Sequence, residues 1–412
     1  MGLLQFSGLG ESLRCGMGLS RSHKRAMNMK VLHICSDYAK QTLYKHLVAS
    51  LAGYGIKQFV YVPTRTAEEA EVNRIEDQDG IWFAYAHILR KFHRVFFRTK
   101  IRRVAKDLLS RISILDYKVI HAHFLYSDGA VARQLNKQFG VPYILAVRNT
   151  DINSFMKLRP DLRLICWDIL RNASQIVFLT PAYSSYLMNK APVDVKLVLA
   201  ERSLIVPNGI SEFWLEEPLE KQGSSDQTLK LLYVGDFTPN KNIIGTMKAV
   251  KLLTPRLSIT LTIVGGGGAD EEKVVKLSES GEFSFVTLLG RIDSPVKLRE
   301  IYRRHDIFVM PSFFETFGLA YIEALSQGLP VIHSIGQGVA GHFDANGVAE
   351  PVDPKRPESI SEGIAKLAKR LPEVRVQCAV EARKFSWKRI SGEYIRVYEE
   401  AAGRSKYPTA KD

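Results

Sequence analysis

The sequence predicts an α/β protein made of two doubly wound, mostly parallel sheets in tandem, and three observations predict it. From Lys30 onward, short β-rich runs alternate with helix-length amphipathic stretches, the pattern of strand, crossover helix and strand. The length of 412 residues suits two or three domains. Near the midpoint, V-P-N-G-I at 206–210 and the polar, acidic segment 212–228 interrupt the alternation, as an interdomain linker would.

Strands are expected at 30–35, 58–62, 81–86, 119–124, 143–147 and 175–180 in the first half, and at 230–235, 258–264, 283–289, 306–311 and 330–333 in the second. The expected division is a first Rossmann-like domain at 30–210, a linker at 211–228 and a second Rossmann-like domain at 229–385. The aromatic-rich stretch 386–404 is expected to form a terminal helix crossing back to the first domain. No repeat of about 20–50 residues is visible, which excludes a solenoid or propeller. Two such domains leave a central cleft between the carboxyl ends of their strands, the usual ligand position in these folds.

Hydrophobic residues make up 46% and charged residues 24%, ordinary globular usage that excludes wholesale disorder. Cys15, Cys35, Cys166 and Cys378 lie far apart and form no C-x-x-C pair, so neither a structural zinc site nor a disulfide framework is expected, and a reducing, cytoplasmic setting fits. No run approaches the roughly 18 apolar residues that span a bilayer. The net charge of +14 is one-sided: residues 1–206 hold 30 Lys and Arg against 16 Asp and Glu, whereas residues 207–412 hold 27 of each. One domain therefore faces an anionic partner, whether a membrane surface, a phosphorylated acceptor or a nucleic acid. Residues 1–29 read as a disordered tail or a non-native extension ahead of Met27 and Met29; Ser7, Gly8, Gly10 and Glu11 break any signal-peptide core, and Phe6 stands where myristoylation needs Ser or Thr.

The most informative segment is 306–332, D-I-F-V-M-P-S-F-F-E-T-F-G-L-A-Y-I-E-A-L-S-Q-G-L-P-V-I. A strand ends at Pro311, a loop carries Glu315, and a helix starts near Phe317 and Gly318 and carries Glu323. Free N–H groups at Phe317, Gly318 and Leu319, with the positive end of the helix dipole behind them, suit a diphosphate. Two carboxylates beside a phosphate must then point at neutral donors, and a vicinal diol supplies two hydrogen bonds to each. A nucleotide sugar carries diols at both ends.

The run P-S-x-x-E-x-F-G-L-x-x-x-E-A-x-x-x-G-L-P-V resembles the signature of the retaining glycosyltransferases of family 4, which have the GT-B fold. That resemblance implies that Glu323 holds the ribose hydroxyls and that Glu315 holds the transferred sugar near the reacting carbon. Thr316, Phe317, Gly318 and Leu319 would line the sugar and diphosphate. V-G-D-F-T-P-N-K-N at 234–242 is similar to the family's V-G-R-x-x-x-x-K-N, so Gly235 and Lys241 match the phosphate clamp while Asp236 replaces its Arg. Arg291 and Ile292 fall in the stretch that contacts the base, with Arg291 available to the diphosphate or the base. A-V-R-N-T-D at 146–151 occupies the place of a His-Gly pair. By the resemblance Arg148 would donate to the sugar or leaving phosphate, or bind a phosphate on the acceptor, with Asp151 orienting it.

Other features carry less chemistry. C-S-D-Y at 35–38 lacks the family's Gly-Gly pair, and a helix start capped by Ser36 or Asp37 would offer N–H groups to a phosphate. His121 and His123 share one strand face, with His123 at the cleft edge; lacking a third ligand, they make no expected metal site. Asp77-x-Asp79 reads as a turn. By the resemblance neither metal nor cofactor is expected, since helix ends and basic residues balance the leaving diphosphate. Residues 87–106 carry eight Lys and Arg and no acid, interleaved with Phe92, Phe96, Phe97 and Ile101, and read as a basic amphipathic helix.

The function expected is transfer of a sugar, with retention, from a nucleotide-diphosphate sugar to a hydroxyl of a lipid-linked glycan in surface polysaccharide synthesis. The enzyme would dock on the cytoplasmic face of an anionic membrane through 87–106. Nucleic acid is not expected, because the aromatics follow helical spacing and form no stacking platform. The rival readings are a nucleotide-sugar epimerase of the same fold and a non-catalytic nucleotide-sugar-binding partner.

Overall fold

The computed structural model describes residues 29–76, 78–216, 228–343 and 347–404. The amino-terminal tail, Asp77 and most of the expected linker lie outside these residues.

The first half forms a seven-stranded sheet. Its strands are β1 (Lys30–Ile34), β2 (Lys57–Thr64), β3 (Ile81–His87), β4 (Val119–Ala122), β5 (Tyr143–Val147), β6 (Gln175–Phe178) and β7 (Ser203–Ile205), in the order β3-β2-β1-β4-β5-β6-β7. The second half forms a six-stranded sheet of β8 (Leu229–Val234), β9 (Ile259–Val264), β10 (Val286–Gly290), β11 (Ile307–Val309), β12 (Val331–Ser334) and β13 (Ala349–Val352), ordered β10-β9-β8-β11-β12-β13. Every recorded strand pair is parallel. In both sheets the winding reverses after the third strand, which leaves switch points between β1 and β4 and between β8 and β11, and crevices for ligands open at such points. β7 and β13 were not expected from sequence. Each is a short edge strand, and β13 contains Pro351, which only an edge or bulge position tolerates.

Helices cover both faces, because strands buried on both sides read as continuous apolar runs: β4, β5 and β6 are buried at every residue. Each sheet has its own core. Leu32, Ile120, Leu145 and Phe178 lie in the first, and Leu231, Ile263, Phe308 and Ile332 in the second. Trp214 is buried in the second core, so the chain rejoins packed structure before residue 217. At the start of the expected linker, Ser211 caps a 3-10 turn at Glu212–Trp214.

The final helix, Trp387–Gly403, lies on the first sheet. Trp387, Ile390, Tyr394, Val397 and Tyr398 pack with Val31, Leu47, Val119 and Ile144. Where the chain passes between halves it does so twice, side by side: Ile210 N–H donates to Phe385 O at 2.8 Å, and Ile210 pairs with Ser386 in an isolated parallel bridge. A Cβ on Gly209 would lie 2.5 Å from the Trp387 ring, so the crossing closes only around a glycine.

The basic stretch 87–106 is not one helix. His87 ends β3, Lys91–Arg94 form a 3-10 turn, and the helix runs Phe97–Leu109. Arg98, Arg102, Arg103 and Lys106 are exposed, with Phe92, Val95 and Phe96 exposed beside them, but Lys100 is buried. No helix among the described residues is long and apolar enough to cross a membrane.

Candidate active site

The loops that follow β1, β4, β5, β8 and β11 meet between the two sheets and enclose a cavity of about 340 Å³. The second sheet contributes Lys241, Glu315, Thr316, Phe317, Gly318 and Leu319 to its wall. The first contributes Asp37, Tyr44, Arg148, Asn149 and Thr150.

Glu315 is placed by the loop between β11 and the helix Leu319–Ser326. Its Oε2 accepts from Lys241 Nζ at 2.7 Å, and its Oε1 accepts from the Thr316 N–H at 3.0 Å. The carboxylate is 11% exposed and the ammonium 25%, so the pair sits at the cavity wall with only part of each charge in water. Its backbone is fixed from both halves: Glu315 O accepts from the Tyr183 hydroxyl and from the Gly338 N–H at 3.1 Å. Gly318 takes φ +82° before the helix, and a Cβ there would stand 2.4 Å from the Tyr321 ring. Only glycine lets the chain turn here and leave the first amide groups of the helix open.

Glu323 lies in the second turn of that helix and does not line the cavity. Tyr302 OH donates to its Oε2 at 3.4 Å; burial raises its carboxyl to about 7, with the Tyr302 bond drawing it the other way. Gly235 lies at the end of β8, and Asp236 is exposed. Arg291 is 76% exposed and pairs with Asp293 at 3.1 Å, and Ile292 packs against the second core; neither lines the cavity.

Across the cleft Arg148 is 4% exposed. Its Nη1 donates to Asn208 Oδ1 at 3.1 Å, its Nε donates to His123 O at 3.3 Å, and its guanidinium lies 5.6 Å from the Tyr44 ring centre. A buried cation held by neutral partners keeps charge to offer a ligand. Asp151 does not orient that guanidinium, contrary to the sequence expectation. Its carboxylate accepts backbone N–H groups of Leu125, Tyr126 and Arg148 at 3.0, 3.2 and 2.9 Å, because a π turn at Asp151–Met156 aims it back at the chain. Burial raises it to about 6, and those bonds oppose the rise.

Neither Ser36 nor Asp37 makes a side-chain cap: Asp37 only stands at the N-cap position of a 3-10 turn at Tyr38–Lys40. The Ser36 N–H and hydroxyl both donate to Asp128, Asp37 pairs with Lys40 at 3.0 Å, and the helix Thr42–Ala52 begins after Gln41 without a side-chain cap. His123 is buried behind the cleft, with its Nε2 3.0 Å from His33 Nδ1. The third histidine missing from the sequence argument is therefore present: β1 pairs with β4 so that His33 faces His121, and one nitrogen from each of His33, His121 and His123 lies within 4.8 Å of the others. The rings of His121 and His123 stack at 3.9 Å and 20°. Burial holds all three well below the usual imidazole value, and they are neutral.

Sequence reasoning missed Tyr183, Asn208 and Tyr44, which hold Glu315 and Arg148. Asn208 had a signal, its place in the Pro-Asn-Gly turn; the two tyrosines had none, since each reaches its partner only through the fold. Asn149 Nδ2 donates across the cleft to Thr316 Oγ1 at 3.3 Å.

Two facing Rossmann-like sheets with this motif at their junction define the class: the protein is a glycosyltransferase of GT-B fold. Residues 216–385 match the family described as glycosyl transferases group 1. The chain is 25% identical over 331 residues to an uncharacterised glycosyltransferase of Methanocaldococcus jannaschii, covering 76% of this chain and 83% of that one. Among solved structures it is similar to a sucrose-phosphate synthase of Thermosynechococcus elongatus, with a TM-score of 0.67, 20% identity and coverage of 90% and 98%. It is also similar to HepE of Anabaena in complex with UDP-glucose, with a TM-score of 0.62, 14% identity and coverage of 90% and 99%.

Proposed function

We propose that the protein transfers a sugar from a nucleotide-diphosphate sugar to a hydroxyl of a lipid-linked glycan, keeping the anomeric configuration, in surface polysaccharide synthesis. The observation that carries the reading is the Glu315–Lys241 pair beside the open amides of the helix Leu319–Ser326, opposite the buried Arg148. The UDP-glucose bound by HepE supports the choice of donor class. In this reading the amides of Phe317, Gly318 and Leu319 take the diphosphate, and Lys241 turns from Glu315 to neutralise it. Glu315 is then free to accept from two hydroxyls of the sugar, and Glu323, Arg291 and Ile292 serve the nucleoside end.

The acceptor oxygen attacks the anomeric carbon from the face by which the diphosphate departs. Its proton passes to a diphosphate oxygen as the bond from carbon to that leaving group breaks. Arg148 steadies the charge that develops there. The exposed basic residues of the helix Phe97–Leu109, with Phe92, Val95 and Phe96, dock the first half on an anionic bilayer and bring the cleft to the lipid-linked acceptor.

A thermal-shift screen of nucleotide sugars identifies the donor, and turnover of that donor by wild type and Glu315→Ala tests the site. At least a hundredfold loss in kcat is expected for the variant, with nucleotide affinity kept within a few-fold. Retained turnover would remove Glu315 from the chemistry, and an inverted linkage by NMR would overturn retention.

A further inference from the structure

We propose that a second cavity beside the cleft is a phosphate subsite for the acceptor, in which Arg65 and Lys100 take a phosphoryl group; this rests on the transferase reading given above. The cavity, about 190 Å³, shares Asp37, Phe124 and Thr150 with the wall of the cleft, so a molecule filling it reaches the donor. On its far side a further cavity of about 290 Å³ shares Arg65, Lys100 and Phe155 and continues along Phe97 and Leu158. Arg65 and Lys100 thus stand between a polar chamber that leads to the cleft and a mostly apolar one that leads to the basic helix.

Lys100 is the reason to expect an anion there. It is 7% exposed, and its Nζ donates to the neutral Ser127 hydroxyl at 2.6 Å. Arg65 donates through Nη1 to the carbonyl of Arg90 at 3.3 Å. Among the described residues, no carboxylate lies within 4.0 Å of either cation. The nearby acids are committed elsewhere. Asp37 pairs with Lys40, Glu69 accepts the Arg65 backbone N–H at 2.7 Å, Asp151 holds three backbone amides, and Asp128 holds Ser36. Burial lowers the Lys100 ammonium to about 8, with Asp128 acting the other way, so the group stays largely cationic near neutral pH and an arriving phosphate adds to the attraction from Asp128.

The chemistry recognised is a phosphate ester on the hydroxyl acceptor, whether carried by a lipid or by a free sugar phosphate. The test titrates inorganic phosphate into the full chain, with and without saturating nucleotide (UDP, GDP and ADP in turn), for wild type, Arg65→Gln, Lys100→Met and the surface control Lys118→Gln. Wild type is expected to bind phosphate with nucleotide present, and Arg65→Gln and Lys100→Met to weaken it at least tenfold. Lys118→Gln should change it less than twofold, and nucleotide affinity should hold throughout. Unaltered phosphate affinity in Arg65→Gln, or none in wild type, overturns the subsite; that variant alone decides if Lys100→Met fails to fold. Failure of every nucleotide to bind strikes the transferase reading instead, while the phosphate titration without nucleotide still reads the subsite. Displacement of phosphate by a soluble hexose phosphate or by a micellar polyprenyl phosphate assigns the source, and displacement by neither counts against the proposal.

Discussion

His33 and His121 stand directly opposite each other on adjacent strands, and with His123 they bury three imidazoles in one place. Burial drives His33 down to about 3, so the folded protein cannot take up the proton that the unfolded chain accepts near pH 6.5. The sign follows: between those values the unfolded state binds more protons, and stability falls as pH falls. Going from pH 7 to pH 5, His33 alone costs about 2 kcal/mol. Thermal melts of His33→Gln are expected to lose that share of the acid sensitivity, and an unchanged difference in Tm between pH 7 and pH 5 would contradict the burial argument. The triad also shows what a sequence conceals at this scale. The alternation of His121 and His123 is local, but their partner enters through strand order. Glu315 and Lys241 were legible because their neighbours define strand end, loop and helix start; the true partners of Asp151 were not, because backbone direction in a π turn leaves no pattern of side chains.

Among elements, the turn before the helix Leu319–Ser326 is the most constrained. Gly318→Ala must adopt a left-handed conformation at about 1–2 kcal/mol. It must also push against Tyr321, which is buried and whose hydroxyl is tied to Met310 O. Nucleotide affinity measured by calorimetry is expected to fall at least tenfold, with a lower Tm; wild-type affinity would show that the amides of this turn are not the diphosphate site. The long buried strands were readable from composition, and β7 and β13 were not. A three-residue edge and a strand containing proline carry too little apolar signal to separate from loop. The basic stretch misled for a different reason. Its charges suggested one solvated helix, whereas the chain starts the helix only at Phe97 and turns Lys100 inward.

For the molecule as a whole, the charge excess of the first half is the feature that composition made plain, and the fold gathers part of it on one exposed face. Arg98 and Arg102 lie on that face with Phe96 and Val95 beside them. Replacing both arginines with glutamine is expected to weaken sedimentation with anionic vesicles by about 2 kcal/mol, roughly thirtyfold, at low salt. Wild-type binding should fade as salt rises. Equal recovery with neutral and anionic vesicles would remove the membrane from the function and leave the cleft chemistry untouched.

The paired passage of the chain at Ile210 and Phe385–Ser386 has a mechanical consequence. One cord between two bodies would let them swivel in every direction; two cords laid alongside and hydrogen-bonded to each other leave a single axle. An axle of that kind restricts any swing of the halves to one arc, which keeps Arg148 and Glu315 on facing walls of the one cavity.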